Sequence, residues 1–323
     1  MRIAVCGSVA TDHLMTFPGR FEDSIVPDQL DKIALSFLVD DLEVRRGGTG
    51  ANIAFGLAKL GHRPMLVASV GKDFDAEYRG WLDAAGVDTS AVRVSDTRHT
   101  ARFVCTTDSA LAQISSFYPG AMSEADGIDL AELGEFDLVL ISPDDPAAMV
   151  RHTASCRDRG VPFAADPSQQ LAFADGDMIR DLIDGATYLF SNDYESALIE
   201  KKTGWTSADV RARVATQVTT RGKDGVTIYL PDGEVVEVSA IPGVTAVDPT
   251  GVGDSFRAGY LAGVAAGLSV ERCAQVGCTI ASLVVETTGT QEYHLDRTAF
   301  LERLGAAYGD DASTDVAAAL ALS

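Results

Sequence analysis

A glycine-rich stretch in the C-terminal third of the chain carries the residues best suited to chemistry. It reads Asp248-Pro249-Thr250-Gly251-Val252-Gly253-Asp254-Ser255-Phe256, and apolar residues at helical spacing follow it. Its glycines allow the chain to turn so that consecutive backbone N–H groups converge, and the start of a helix adds about half a positive charge there. The stretch therefore predicts an anion site that suits the oxygens of a phosphoryl group.

A carboxylate, Asp254, falls within this predicted anion site. It fits there as a general base that removes the proton of an alcohol while the alcohol attacks phosphorus. The alternative is structural, since aspartate often caps the N-terminus of a helix. Local physics alone does not decide between the two interpretations.

Three further motifs precede this stretch, and both asparagines of the chain fall within them. The motifs are Gly47-Gly48-Thr49-Gly50-Ala51-Asn52, Asn192-Asp193-Tyr194-Glu195 and Thr220-Arg221-Gly222-Lys223-Asp224-Gly225. Together with Asp248–Phe256 they resemble, in order, the motifs G-G-x-x-x-N, N-x-x-E, T-x-G-x-x-G and D-T-T-G-A-G-D-x-F of the ribokinase-like, or PfkB, kinases. Pro249 and Val252 depart from the last pattern, but neither removes a donor that the anion site needs.

This resemblance implies a role for each motif. Asp254 would be the base, and the N–H groups of Gly251, Val252 and Gly253 would form the anion hole. Asn192 and Glu195 would act on Mg²⁺ mainly through water, because that ion gives up its hydration shell reluctantly; the alternative for this pair is a helix-capping pattern. The implied ATP-binding residues are Asn192, Thr220, Gly222, Gly225 and Gly253.

The resemblance also extends to the acceptor substrate. Segments along nearly the whole chain look like the bacterial adenosine kinases of the family; they begin at Gly7, Leu35, Ser116, Asp166 and Gly289. The match implies ribose contacts by Ser8, Asp12, Ser36, Gly48 and Asn52, and adenine contacts by Phe103, Phe117, Gln169 and Gln170. Asp12 would accept hydrogen bonds from two vicinal hydroxyls; the alternative is a solvated turn residue.

The residues proposed for the adenine have suitable chemistry of their own. Phe103 and Phe117 fall on two strands of a predicted hairpin, where they could stack on a heterocycle or simply fill a core. The amides of Gln169 and Gln170 both donate and accept, as the edge of adenine requires. Ala172 stands near the place where the resembling kinases carry an arginine.

Composition excludes several other classes of protein. The chain has 323 residues, 26 Lys plus Arg and 47 Asp plus Glu, giving a net charge of −21, which disfavours nucleic acid or an anionic membrane as a partner. No apolar run approaches the roughly 18 residues of a membrane span, and the N-terminus does not resemble a signal peptide. The five cysteines are scattered without metal-binding spacing, which is typical of buried thiols in the cytoplasm.

Strand and helix patterns alternate along most of the chain and predict an α/β fold, a Rossmann-like and mostly parallel sheet flanked by helices. Alternating segments at Leu35–Val44 and Ala101–Ser116 do not fit that rhythm and predict a small antiparallel β lid. We expect a large domain of residues 1–12, 47–97 and 121–323, and a discontinuous lid of residues 13–46 and 98–120.

These features predict an ATP-dependent adenosine kinase that forms AMP and ADP. The alternatives are a ribokinase-like sugar kinase, a kinase of another nucleoside, and a nucleoside-binding regulator without catalysis. The family resemblance adds a homodimer through the lid, whose sheet edges invite pairing, and a monovalent cation such as K⁺ near Asp248, Thr250 and the carbonyls at Gly289. A GxGxxG dinucleotide motif and a GxxxxGK[ST] motif are both absent from the sequence.

Overall fold

The computed structural model describes residues 1–25 and 36–321, and the described chain forms two β-sheets. The strands are β1 (Ile3–Cys6), β2 (Ala10–Thr16), β3 (Asp41–Gly47), β4 (Met65–Val70), β5 (Val92–Val94), β6 (Ala101–Thr107), β7 (Gln113–Tyr118), β8 (Leu138–Ile141), β9 (Phe163–Ala165), β10 (Tyr188–Asn192), β11 (Thr216–Thr220), β12 (Val226–Tyr229) and β13 (Val235–Val238).

Helices cover both faces of the larger sheet, as the predicted alternation of strands and helices requires. They are α1 (Phe21–Ser24), α2 (Thr49–Lys59), α3 (Asp73–Glu77), α4 (Arg79–Ala85), α5 (Pro146–Arg159), α6 (Gly176–Ile183), α7 (Asp193–Thr203), α8 (Ser207–Arg211), α9 (Val252–Ala265), α10 (Val270–Val285), α11 (Arg297–Tyr308) and α12 (Asp310–Ala319). Short 3₁₀ segments lie at Gly120–Gly127, Leu130–Leu133, Ser168–Ala172 and Gly222–Asp224.

The larger sheet has the order β13-β12-β11-β10-β9-β8-β1-β4-β5. Its strands run parallel from β11 to β5, and only β12 and β13 at one edge are antiparallel. The direction in which the chain adds strands reverses at β1. On one side of β1 lie β4 and β5, and on the other side lie β8 and the strands that follow it. In sheets of this kind the carboxyl ends of the strands at such a reversal border a crevice that takes ligands. This sheet confirms the predicted α/β fold.

The smaller sheet corresponds to the predicted lid and has the order β3-β2-β6-β7. The predicted hairpin is present, because β6 and β7 pair in antiparallel fashion, and β2 also pairs with β3 in that way. The prediction of an antiparallel lid was nevertheless wrong at its centre, where β2 and β6 are parallel. Alternation of side chains specifies a half-buried strand but not the direction of its neighbour. Leu35, which begins one of the predicted alternating segments, lies outside the described residues.

The chain differs from the sequence-based prediction in three other places. The helix predicted over 74–85 is divided into α3 and α4 at Tyr78, whose buried hydroxyl donates to the carbonyl oxygen of Gly47 at 3.0 Å. The predicted terminal helix is divided into α11 and α12 at Gly309, which has φ 94°. Strands β12 and β13, for which the sequence analysis named no element, extend the sheet beyond β11. Within residues 1–25 and 36–321, no helix is long and apolar enough to span a membrane.

Candidate active site

The stretch that was predicted to form an anion site lies at the start of α9. Gly251 precedes the helix with φ 73°, a left-handed conformation that glycine adopts without strain, and no side chain caps this helix in the described part of the chain. Val252, Gly253 and Asp254 are the first three helical residues, so Asp254 does not occupy the capping position. The first N–H groups of a helix have no acceptor one turn earlier within the helix, and here the Val252 N–H makes only a long bond of 3.4 Å to the carbonyl oxygen of Pro249. Such a helix start is a favourable place for an anion.

Asp254 lies opposite Asn52 of α2, although the two residues are far apart in sequence. The Nδ2 group of Asn52 donates to Oδ2 of Asp254 at 2.8 Å. Burial raises the pKa of Asp254 above the ordinary value, while the bond from Asn52 and the charge of Arg257 oppose that rise and the charge of Glu195 adds to it. A half-buried carboxylate with one oxygen held by a donor is suited to accept a proton from an alcohol.

Beneath this turn lies a buried cluster of charges that the sequence analysis did not identify. Arg257 of α9 makes an ion pair of 2.7 Å with Asp166, which follows β9, and its guanidinium also lies 3.8 Å from the carboxylate of Glu195. Its Nη1 donates to the carbonyl oxygen of Gly253 at 3.0 Å. Burial raises the pKa of Asp166 to about 7, with Arg257 acting in the opposite direction. The cluster ties the anion-binding turn to the sheet.

In the sequence, Arg257 stands out only as a charge on an apolar helix face. Its neighbours in the sequence are Phe256 and Ala258, both buried, and Asp166 similarly follows the buried strand β9. A charged residue in such surroundings is usually paired. Nothing in the spacing of the sequence, however, connects Arg257 with Asp166.

Asn192 and Glu195 form the capping box that was considered as their structural alternative. Asn192 Oδ1 accepts from the Glu195 N–H, and Glu195 Oε2 accepts from the Asn192 N–H, both at 2.8 Å. The motif nevertheless lies beside the turn, because Glu195 is near Arg257. Asn192 also pairs directly with Thr220 across β10 and β11, which brings two of the predicted ATP-binding residues together at the carboxyl edge of the sheet.

The loop after β11 is shaped by its glycines. Gly222 and Gly225 have φ 55° and 94°, and a Cβ atom on Gly225 would lie 2.0 Å from the carbonyl oxygen of Val238. Thr220, at the end of β11, directs its hydroxyl to the Ser191 carbonyl at 3.5 Å. The loop therefore leaves the sheet at the same edge as Asn192, as the predicted nucleotide loop requires.

Asp12 lies in β2, rather than in the solvated turn that was the alternative for it. Its carboxylate lies against Gly47, where a Cβ atom would come within 2.9 Å of Oδ2. Burial raises the pKa of Asp12 to about 6, with Arg45 lowering it and Asp248 and Glu292 raising it further. Asp12 is thus a half-buried acceptor beside the first glycine motif.

One row across the lid sheet joins Asp12 to the two predicted aromatic residues. Asp12 pairs with Phe103, and Phe103 pairs with Phe117. Directly paired residues project from the same face of a sheet, and neighbouring strands are about 4.8 Å apart. Phe117 is 50% exposed and Phe103 is half-buried, so the alternative of a closed aromatic core does not describe this pair. The row presents an acid and then two aromatic rings.

The remaining predicted substrate contacts differ in position and exposure. Ser8 follows β1, and its hydroxyl accepts from the Thr49 N–H at 3.1 Å; Gly48 has φ 93°, and a Cβ atom there would meet the Ser8 carbonyl oxygen at 2.6 Å. Gln169 is exposed and Gln170 half-buried in the segment after β9. Ser36 is exposed.

The side chains near the turn suit a hydrated cation better than an enclosed metal centre. In the ranges 1–25 and 36–321, no group of three His, Cys, Asp or Glu side chains is arranged to hold a metal ion. Mg²⁺ bound to phosphates commonly needs only one or two protein carboxylates. Asp248 already accepts from the N–H groups of Thr250 and Gly289 and lies 3.5 Å from Arg45. A monovalent cation there would therefore need backbone carbonyls as its main ligands.

Comparison with known proteins establishes the class. The profile of the pfkB family of carbohydrate kinases matches residues 8–297, and the chain belongs to this family. It is 32% identical to a nucleoside kinase of Methanothermobacter thermautotrophicus over 90% of this chain and 94% of that protein, and 27% identical to the ribokinase of Bacillus subtilis over the same shares.

Solved structures agree with this assignment. The nucleoside kinase of Burkholderia thailandensis in complex with inosine has a TM-score of 0.85 and 34% identity, covering 95% of this chain and 97% of that one. Its complex with ADP and inosine gives a TM-score of 0.82 and 36% identity over 95% and 96%. The fold is thus ribokinase-like, and the protein is an ATP-dependent phosphotransferase with an alcohol as acceptor.

Proposed function

We propose that this kinase transfers the γ-phosphoryl group of ATP to the 5′-hydroxyl of a purine nucleoside, with adenosine as the substrate predicted from the sequence. The observation that carries the proposal is the row of Asp12, Phe103 and Phe117 on one face of the lid. An acid for the vicinal hydroxyls, followed by the half-buried ring of Phe103 and the exposed ring of Phe117, matches the length and chemistry of a nucleoside. A free pentose would leave the rings without a partner.

The proposed reaction follows from the turn at α9. The 5′-oxygen forms a bond to the γ-phosphorus, the bond from that phosphorus to the β,γ-bridging oxygen breaks, and ADP leaves with the electron pair. Asp254 takes the proton of the alcohol, while the N–H groups of Gly251, Val252 and Gly253 stabilise charge on the transferring oxygens. A closed lid would exclude water and so limit hydrolysis of ATP.

The cations belong to the proposal as well. Glu195 and Asn192 would hold Mg²⁺ through water, and the ion would neutralise charge on the phosphates of ATP. The nucleotide itself would lie along Asn192, Thr220, Gly222, Gly225 and Gly253. K⁺ near Asp248 and Thr250 remains a further proposal from the family resemblance, and dependence of the rate on K⁺ at constant ionic strength would test it.

A panel of acceptors tests the proposed substrate class. With ATP and Mg²⁺, we expect kcat/KM for adenosine to exceed that for ribose by a large factor, because base stacking adds roughly 1–3 kcal/mol of binding per base. Inosine is the second candidate, since a similar kinase is known in complex with it. A preference for ribose over both nucleosides would exclude the proposal and favour a sugar kinase. Tight nucleoside binding without any turnover would favour a regulator.

Affinity for the nucleoside should depend on the charge of Asp12. An ionised carboxylate accepts from both hydroxyls, whereas the protonated form must donate one proton and loses part of that interaction. Because the pKa of Asp12 is raised to about 6 by burial, we expect the Kd for adenosine to rise as pH falls through that value. Isothermal titration calorimetry without ATP measures this. In Asp12→Asn the pH dependence should vanish, and its persistence would assign it to another group.

The opposite face of the lid supports the proposed homodimer. Val44 pairs with His13, the residue after Asp12, and therefore projects from the other face. That face includes the exposed side chains of Leu42, Val44, Ile114 and Tyr118. We expect sedimentation velocity to give the mass of a dimer, and Val44→Glu to shift it toward the monomer by burying a charge. A monomeric wild-type protein would contradict the dimer but not the kinase.

A further inference from the structure

A largely buried polar network leads from Asp254 to the indole of Trp81, across three helices and the loop that holds Gln291. Its central members are Asn52 and Gln291, which are 7% and 1% exposed. Gln291 donates directly to Asn52, and both side chains are uncharged amides. An amide has a donor end and an acceptor end, so each bond of the network constrains the orientation of the next group.

The orientation of the Asn52 amide is determined by Gln291. Asn52 Oδ1 accepts from Gln291 Nε2 at 2.9 Å, and the hydroxyl of Thr290 lies at the same distance. That hydroxyl has a single hydrogen and also lies 3.0 Å from the Arg46 carbonyl oxygen, so it does not decide the orientation by itself. Because Gln291 donates to the oxygen, the nitrogen of the Asn52 amide must occupy the opposite position, and there it donates to Asp254 at 2.8 Å. A flipped amide would place two oxygens against each other at Asp254 and two amide nitrogens against each other at Gln291.

Gln291 is oriented in turn by groups that lie farther from the site. Trp81 Nε1, which can only donate, reaches Gln291 Oε1 at 3.0 Å. Gln291 Nε2 then faces Asn52 and the hydroxyl of Tyr78, and that hydroxyl donates to the Gly47 carbonyl at 3.0 Å. Each donor and acceptor along the path has one consistent direction.

The ring of Trp81 has a fixed place as well. It stacks on Phe55 with a centroid distance of 5.8 Å and an interplanar angle of 5°, and the guanidinium carbon of Arg46 lies 4.3 Å from its centroid. Arg46 directly precedes the first glycine motif. The direction set by the indole N–H is thus imposed by packing outside the site.

We propose that Gln291 is a positioning residue for phosphoryl transfer, which directs the Asn52 amide so that it holds one oxygen of Asp254 and leaves the other for the acceptor alcohol. The proposal rests on the proposed function of Asp254 as the base. Gln291 need not touch the nucleoside, since it acts through Asn52. The charged groups that face Asp254 are Arg257 on its own helix and Glu195 of α7, with Asp166 behind them.

The variant Gln291→Glu tests this proposal with almost no change of shape. It replaces the donor to Asn52 by an oxygen, so the Asn52 amide should turn and cease to donate to Asp254. Asp254 then loses the hydrogen bond that favours its ionised form. The acidic limb of the kcat–pH profile, measured at saturating nucleoside so that the effect of Asp12 on affinity does not enter, should therefore move to higher pH by about one to two units. Maximal kcat/KM should fall about tenfold or more. A role in packing alone would not move that limb.

Two further variants separate direct from indirect effects. Trp81→Phe removes the indole N–H but keeps an aromatic ring to stack on Phe55, and it should shift the limb in the same direction by a smaller amount. It decides the question if Gln291→Glu does not fold, as judged by thermal unfolding. In an Asn52→Leu background, Gln291→Glu should cause no additional shift, because its route to Asp254 is gone.

The outcomes distinguish this inference from the proposed function. If the folded variants keep the wild-type acidic limb while Asp254→Asn is inactive, the network has only a packing role and the positioning proposal is wrong. The same conclusion holds if Gln291→Glu shifts the limb equally with and without Asn52. If Asp254→Asn is fully active, the proposed base itself is wrong.

Discussion

Asp254→Asn should lower kcat by about 10²–10⁴-fold, because the amide cannot take the proton of the acceptor alcohol. Nucleoside affinity should change little, since the lid row of Asp12, Phe103 and Phe117 remains. Steady-state kinetics with a coupled ADP assay measures the first effect, and calorimetry without ATP measures the second.

A matched control for this substitution is available on the protein surface. Asp158 is exposed in α5, and Asp158→Asn should leave kcat unchanged. Full activity of Asp254→Asn would show that another group removes the proton. If the variant lost both nucleoside binding and turnover, the carboxylate would instead have a structural role.

Arg257→Met should destabilise the protein by about 3–5 kcal/mol, because it leaves the carboxylate of Asp166 buried without its partner. The side chains of Arg257 and Asp166 are 6% and 0% exposed, so water cannot replace the lost interaction. Unfolding in urea, followed by circular dichroism, measures the change. The anion-binding turn should also lose the bond from Arg257 to Gly253, which gives a lower kcat in the folded fraction.

The loss of stability in Arg257→Met should depend on pH in a defined direction. Burial already raises the pKa of Asp166 to about 7 in the native protein, and without the arginine it should rise further. A carboxyl group with a higher pKa in the folded than in the unfolded state is most favourable to folding at low pH, below its unfolded pKa near 4. That contribution disappears as pH rises through the folded pKa, so the deficit should be smaller at pH 5 than at pH 8.

Two comparisons show whether burial is the cause. Arg151→Met removes a surface ion pair between Arg151 and Asp129, whose side chains are 43% and 40% exposed. This substitution should lower the free energy of unfolding by no more than about 1 kcal/mol. Adding Asp166→Leu to Arg257→Met should restore much of the stability, because the unpaired charge is gone. An equal cost for Arg257→Met and Arg151→Met would contradict the account.

The parts of this protein that local sequence specifies were predictable. The turn from Gly251 to Asp254, the capping box of Asn192 and Glu195, and the hairpin of Phe103 and Phe117 each depend on residues close in the chain or on a recognisable spacing. Family resemblance then supplied the fold and the phosphotransferase class. Whether the motif residues have the predicted roles in substrate binding remains for experiment.

Other features depend on pairings that no local pattern encodes. The parallel contact between β2 and β6 joins two strands that are far apart in the sequence, and its register places Asp12 beside Phe103. The pair of Arg257 and Asp166 and the path from Trp81 to Asn52 likewise join distant residues. Periodicity identifies which side chains are buried, but it does not specify their partners.

The position of the new phosphate tests the central claim most directly. In ³¹P NMR of a reaction with adenosine, ATP and Mg²⁺, we expect ADP and one phosphomonoester whose signal couples to the two 5′-protons of the ribose. The amount of this product should equal the amount of ADP. Formation of inorganic phosphate alone, or of an ester at the 2′- or 3′-oxygen, would mean that the turn at α9 does not direct transfer to the primary alcohol of a nucleoside.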